Sequence, residues 1–121
     1  MFDFDHDGED ELATIEPFHG TALNIYKRTS SKWGLRYRSP LSFGHGLSAG
    51  LFKNQPAIVV GNRRDSEALE LHIVHDLMKS EIEKMIVEEH VGPTQTQIFR
   101  HNGTDYILSA NQAKSEIALY D

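Results

Sequence analysis

An all-β fold is predicted from three observations. Short alternating or buried-type apolar runs recur along the whole chain, bounded by Gly, Pro, Asn and Ser. Turn signals fall about every 8–12 residues, the density of a domain built from short strands. The order of runs and turns also repeats, with Leu12, Ala57 and Tyr106 in equivalent places 45 and 49 residues apart. Periods of about 40–50 residues carrying four short strands each are the sequence mark of propeller blades. The expected architecture is therefore about two and a half four-stranded antiparallel β-propeller blades in an incomplete ring. A sandwich is the alternative, but a sandwich does not require repetition.

Glu11–Glu16 reads as a short strand, Pro17-Phe-His-Gly20 as a turn, and Ala22–Lys27 as a strand with Leu23 and Ile25 on one face. Trp33–Arg38 alternates and is closed by Pro40; Leu47–Phe52 is a strand of small residues. The pattern restarts with Ala57–Gly61 and Leu69–Ile73, and again with Gln97–Arg100, Tyr106–Ala110 and Ile117–Tyr120. Val74–His90 has the local propensity of an amphipathic helix, but the repeat register makes Ile82–Glu89 an outer strand. Edge strands tolerate charge and weak β propensity, so the register is preferred. His72 and His75 are expected to face solvent on alternate sides of a strand. The blade boundaries are 1–40, lacking a first strand, 41–92, and 93–121, lacking a last strand. Such a chain needs the remaining blades of a longer chain, or self-assembly, to close a ring.

With 121 residues, the chain makes one domain. No apolar run approaches the ~20 residues of a membrane-spanning helix, and the acidic N-terminus lacks the basic-then-apolar order of a signal peptide. A soluble, extracellular or cytoplasmic, protein is expected. The absence of Cys excludes disulfides, thiolate metal sites and Cys nucleophiles. Seven of the 18 acidic residues precede the first basic one, Lys27, and the remainder carries 11 acids against 12 bases. The net charge of −6 thus belongs to the N-terminal stretch, and no basic surplus suggests nucleic acid.

That stretch carries the clearest chemistry. Asp3, Asp5 and Asp7 alternate, Gly8 follows, and Glu11 stands three places on. Ca²⁺ takes six to eight oxygens at about 2.3–2.6 Å, and a Gly in the sixth place permits the turn between ligands. Counting from Asp3, the carboxylates at positions 1, 3 and 5 converge, Glu9 offers its backbone carbonyl, and Glu11 closes the cage. An EF-hand would need Glu at position 12, where Thr14 stands, so this is a different calcium loop. Without a cation, carboxylates crowded into nine residues would repel one another.

The pattern Asp3-x-Asp5-x-Asp7-Gly8-x-x-Glu11-Leu12, followed by a strand and the blade period, resembles the FG-GAP/VCBS-type repeats of integrin α-subunit propellers and many bacterial proteins. The resemblance implies a structural Ca²⁺ loop between the first two strands of a blade, held by Asp3, Asp5, Asp7, the Glu9 carbonyl and Glu11. Glu11 stands where that family more often has Asp. The corresponding hairpins at Lys53-Asn-Gln-Pro56 and Arg100-His-Asn-Gly-Thr104 lack the acidic spacing, so one blade alone should hold metal.

On the propeller scheme, Glu16, His19, His45, Arg63, His90 and Asn111 gather toward the rim opposite the calcium hairpin, a candidate ligand-binding surface. The first functional expectation is a calcium-braced binding or scaffold module for protein or carbohydrate, without catalytic residues. The alternative is part of a propeller enzyme, with His19, His45 and His90 holding a metal or serving as base. By resemblance, this would be a carbohydrate lyase or isomerase. No Ser/His/Asp order, P-loop or H-E-x-x-H helix supports the second.

Overall fold

The computed structural model describes residues 1–17 and 20–121, so the proposed turn residues Phe18 and His19 lie outside the described residues. The described residues form ten strands: β1 (Leu12–Glu16), β2 (Ala22–Thr29), β3 (Lys32–Pro40), β4 (Gly44–Phe52), β5 (Gln55–Asn62), β6 (Leu69–Asp76), β7 (Glu81–Glu88), β8 (Pro93–His101), β9 (Thr104–Asn111) and β10 (Glu116–Tyr120). A 3₁₀ turn, Gln112–Lys114, joins the last two. They form three antiparallel sheets, β1-β2-β3, β4-β5-β6-β7 and β8-β9-β10, none of them closed. No described helix is long and apolar enough to cross a membrane.

Val74–His90 is where local propensity and tertiary context disagree, and tertiary context prevails. Glu81–Glu88 is a strand paired to β6 with Val74 opposite Ile82 and Leu71 opposite Met85. Ile82 packs on one core and Val87 on the other, an arrangement that repays extended rather than helical backbone at this edge.

The sheets are layered in chain order, and each has a leading face toward the preceding sheet and a trailing face toward the following one. Leu23 and Ile25 on the trailing face of the first sheet meet Ile58, Val60 and Val74 on the leading face of the second. Val59, Leu69 and Leu71 on the second sheet's trailing face meet Ile107 of the third. The faces separate because strand side chains alternate, so Ile58 and Val60 point one way while Val59 points the other. Full burial of one such side chain contributes about 1.5–3 kcal/mol. Being covered on both sides, β5 is buried from Pro56 to Asn62.

The hairpin ends fix how the sheets correspond. Glu16 pairs with Ala22, the Asn62 amide donates to the Ala68 carbonyl, and Asn111 pairs with Glu116. Glu16, Asn62 and Asn111 are therefore equivalent, and counting back four residues from each gives Leu12, Ile58 and Ile107. The expected match of Leu12 with Ala57 and Tyr106 is one residue out, which in a strand exchanges the two faces.

His72 corrects a second expectation. It is wholly buried on the leading face of the second sheet, where the first sheet covers it, and does not face solvent. His75, further along β6, is exposed and lies 3.0 Å from Glu83.

The second and third sheets approach closely at Gly61, where an added Cβ would meet the His45 carbonyl oxygen at 2.6 Å and Pro93 Cγ at 2.7 Å. Gly61→Ala must push backbone apart at this contact. We expect it to lower unfolding free energy in urea by about 1–3 kcal/mol, the usual range for overpacking. An unchanged midpoint would show that the sheets are not held this close.

Candidate metal centre

The acidic loop is built onto the first sheet from both ends. Phe2 and Glu11 exchange backbone hydrogen bonds, 3.1 Å from the Phe2 amide and 2.8 Å from the Glu11 amide. Phe4 is buried in the core between the first two sheets, with its ring 5.3 Å from that of Phe2. Two aromatic anchors alternating with Asp3 and Asp5 thus drive the loop inward on one side and turn its carboxylates to the other.

Within the loop, the carboxylates order the backbone. Asp3 accepts from the amides of Asp7 at 3.1 Å and Gly8 at 2.9 Å, and Asp7 accepts from Glu9 at 2.8 Å. His6 and Gly8 take positive φ, 60° and 89°, to reverse the chain; the second value suits a residue without Cβ. Glu11 lies under the loop, buried, and its Oε2 accepts from the Phe4 amide at 2.6 Å.

Oxygens of Asp3, Asp5, Asp7 and Glu11 all lie within 4.8 Å of one another. The structure thus brings together the four carboxylates singled out from spacing. Glu9, the fifth candidate, has an exposed side chain and donates its amide to Asp7.

Sequence reasoning missed Lys27. Its ammonium lies 2.5 Å from Asp5, 2.5 Å from Asp7 and 3.2 Å from Glu11. Leu12 pairs with Tyr26, so the next residue of β2 reaches over the loop. The available signal was that Lys27 is the first base after seven acids, but only the β1–β2 register turns that order into proximity. Lys27 is held charged well above its ordinary range, first by its hydrogen bond to Asp5 and then by that to Asp7. Its hydrogen bond lowers the Asp7 carboxyl, whereas burial raises that of Glu11. The acidic cluster thus already has one cationic partner, an ammonium that belongs to the chain itself.

Among the rim candidates, Glu16 and Asn111 stand at hairpin ends, and Arg63 directly follows a third at Asn62. Glu16 Oε2 accepts from Thr14 at 2.5 Å, Tyr26 at 2.6 Å and Asn24 at 2.9 Å on the first sheet's leading face. Asn111 is buried in a matching position, accepting from Ser109 at 2.6 Å and donating to Tyr120 at 3.0 Å and Glu116 at 3.2 Å. Between them in the repeat stands Asn62, whose amide donates to Glu70. Glu70 is 3.1 Å from His72 Nε2, and His72 Nδ1 is 3.1 Å from the Tyr37 hydroxyl of the first sheet. Both ring nitrogens of His72 thus have partners, one within its own sheet and one in the first.

His45 is half-buried with Nδ1 2.9 Å from the Thr94 carbonyl, a link between the second and third sheets. His90 is exposed beside Glu89, at 4.0 Å. The Arg63 amide donates to the Phe43 carbonyl. His19 lies outside the described residues. Asn111 borders a cleft of about 510 Å³ with Thr94, Gln112 and Ile117, and a larger one, about 780 Å³, lies beside the acidic loop between Asp10, Arg28 and Trp33.

No family model, curated protein or solved structure matches this chain.

Three donors hold the Glu16 carboxyl below its usual range, Thr14 foremost, then Tyr26 and Asn24. A carboxylate depressed on folding adds stability above its unfolded value, near 4.5, and that stability is lost as pH falls through the lower folded value. Glu16→Gln should therefore lose stability at neutral pH and flatten the acid limb of the pH–Tm curve below about 4.5. An acid limb of unchanged slope would show that Glu16 titrates as it does in the unfolded chain.

Proposed function

We propose that this protein is a calcium-braced β-propeller repeat segment that serves as a binding or scaffold module for protein or carbohydrate. The observation that carries the reading is the convergence of four hard oxygen donors on one point. An ion about 2.4 Å from each ligand requires the oxygens to lie within about 4.8 Å of one another, and those of Asp3, Asp5, Asp7 and Glu11 meet that limit. The all-β architecture of three layered antiparallel sheets is compatible with propeller blades.

Asp3, Asp5, Asp7 and Glu11 would hold Ca²⁺, with backbone carbonyls and water completing the shell, and Lys27 would leave its carboxylates as the ion enters. The metal's role is structural: an ion that binds only the folded chain raises its stability by mass action. It fastens the loop that inserts Phe4 between the first two sheets.

The test is a thermal melt followed by circular dichroism, in calcium and in excess chelator. Calcium at about 100 times its dissociation constant should add about 2.7 kcal/mol, a rise of several degrees in Tm. Asp5→Ala should abolish the rise. Coincident melts of the unsubstituted protein would overturn the calcium reading. Lys27→Met removes the competing ammonium and should tighten calcium binding by calorimetric titration while lowering Tm in chelator. Weaker binding would mean that Lys27 organises the site instead of competing for it.

A further inference from the structure

The geometry points to head-to-tail association of this chain with a second copy, the trailing face of one copy's third sheet packing on the leading face of the other's first. This inference rests on the repeat reading above, but not on the metal.

Corresponding residues have opposite fates in the three sheets. Leu23 and Ile25 on the first trailing face are each 0% exposed, and their counterparts Leu69 and Leu71 on the second are 0% and 3% exposed. The counterparts on the third, Ile117 and Leu119, are 78% and 55% exposed. All three pairs occupy the same places after the same hairpin end. The first two are covered by the next sheet's leading face, whereas no described sheet covers the third. Repeats of this kind bury their faces only against neighbouring repeats. Leu108 and Ala110 extend the same surface, since Leu108 pairs with Leu119 and Ala110 with Ile117.

The occupant follows from what covers the equivalent faces. Each is met by a leading face that combines apolar side chains with a hydrogen-bonded polar cluster. In the second sheet these are Ile58 and Val60 with Asn62, Glu70 and His72; in the third, Ile107 with Ser109, Asn111 and Tyr120. One such face is covered by no described sheet. On the first sheet, Leu12 and Thr14 stand in the places of Ile58 and Val60, and Glu16, Asn24 and Tyr26 in those of Asn62, Glu70 and His72. Asn24 is almost wholly buried, yet its Oδ1 lacks a partner among the described residues. Leu35, paired with Tyr26 on this face, is 47% exposed. The chain thus presents both halves of a contact that it makes twice internally. Contacts of this heterologous kind join unlike surfaces and propagate until a ring closes or a filament grows.

Sedimentation of the whole chain over a range of concentrations, in calcium and in chelator, tests this. The expected result is a rise in mass with concentration. Ile117→Glu on the trailing face and Leu35→Glu on the leading face change exposed positions, and circular dichroism will show that both variants remain folded. Each variant alone should be monomeric. An equimolar mixture should form a dimer and stop there, because one intact trailing face meets one intact leading face. A monomer at every concentration would overturn the proposal even if calcium raises Tm; association without a calcium effect would instead sink the metal reading. Association that survives either substitution, or a mixture that stays monomeric, would also overturn it.

Discussion

The constraint on which this structure depends is that no sheet in it has enough surface to bury its own apolar side chains. A sheet of three or four short strands hides one face only by pressing it against another layer. Here the second sheet serves both neighbours, which is why β5 is buried along nearly its whole length and why Gly61 admits no side chain. Chain order becomes layer order, and the hydrophobic term is collected at two interfaces instead of in one central core. The loop at the N-terminus belongs to this scheme, because Phe4 enters the first interface alongside Ile25 and Ile58.

Polar side chains are distributed by the same constraint. At each hairpin end a leading face carries hydrogen-bonding residues at matching positions, built on Glu16, Asn62 and Asn111. Those of the second and third sheets lie under a neighbour. Burying such groups is tolerable only when each finds partners, and the clusters supply them mainly from within one sheet. The Tyr37–His72 and Tyr120–Glu88 contacts cross between sheets. Since the residue types differ among the three clusters, what is repeated is a demand for closed hydrogen bonding at one place in the fold, not a particular chemistry.

Much of this was readable from local pattern. Strands announce themselves through alternation and punctuation, and the acidic loop through spacing within nine residues, because both depend on neighbours along the chain. What escaped depends on neighbours in space. Lys27 is an ordinary surface lysine until β2 is registered on β1. His72 sits in an alternating strand that looks half-exposed until the first sheet is laid over it. The period of the repeat was legible to within one residue, but one residue is the difference between the two faces of a strand. Ile58 and Ala57 are equally apolar, and only the hairpin ends decide which of them matches Leu12.

Lys27 gives the acidic loop an occupant whose supply never varies. A tethered ammonium acts at a fixed effective concentration, whereas a dissolved ion acts at whatever level its surroundings provide. If calcium is the second occupant, the loop compares the two. Below some threshold the carboxylates stay with β2 through Lys27, and above it they pass to the ion and free a positive charge at the edge of the first sheet. The same three contacts that keep the loop folded in the absence of metal would then set the calcium level at which the surface charge of this end of the molecule changes.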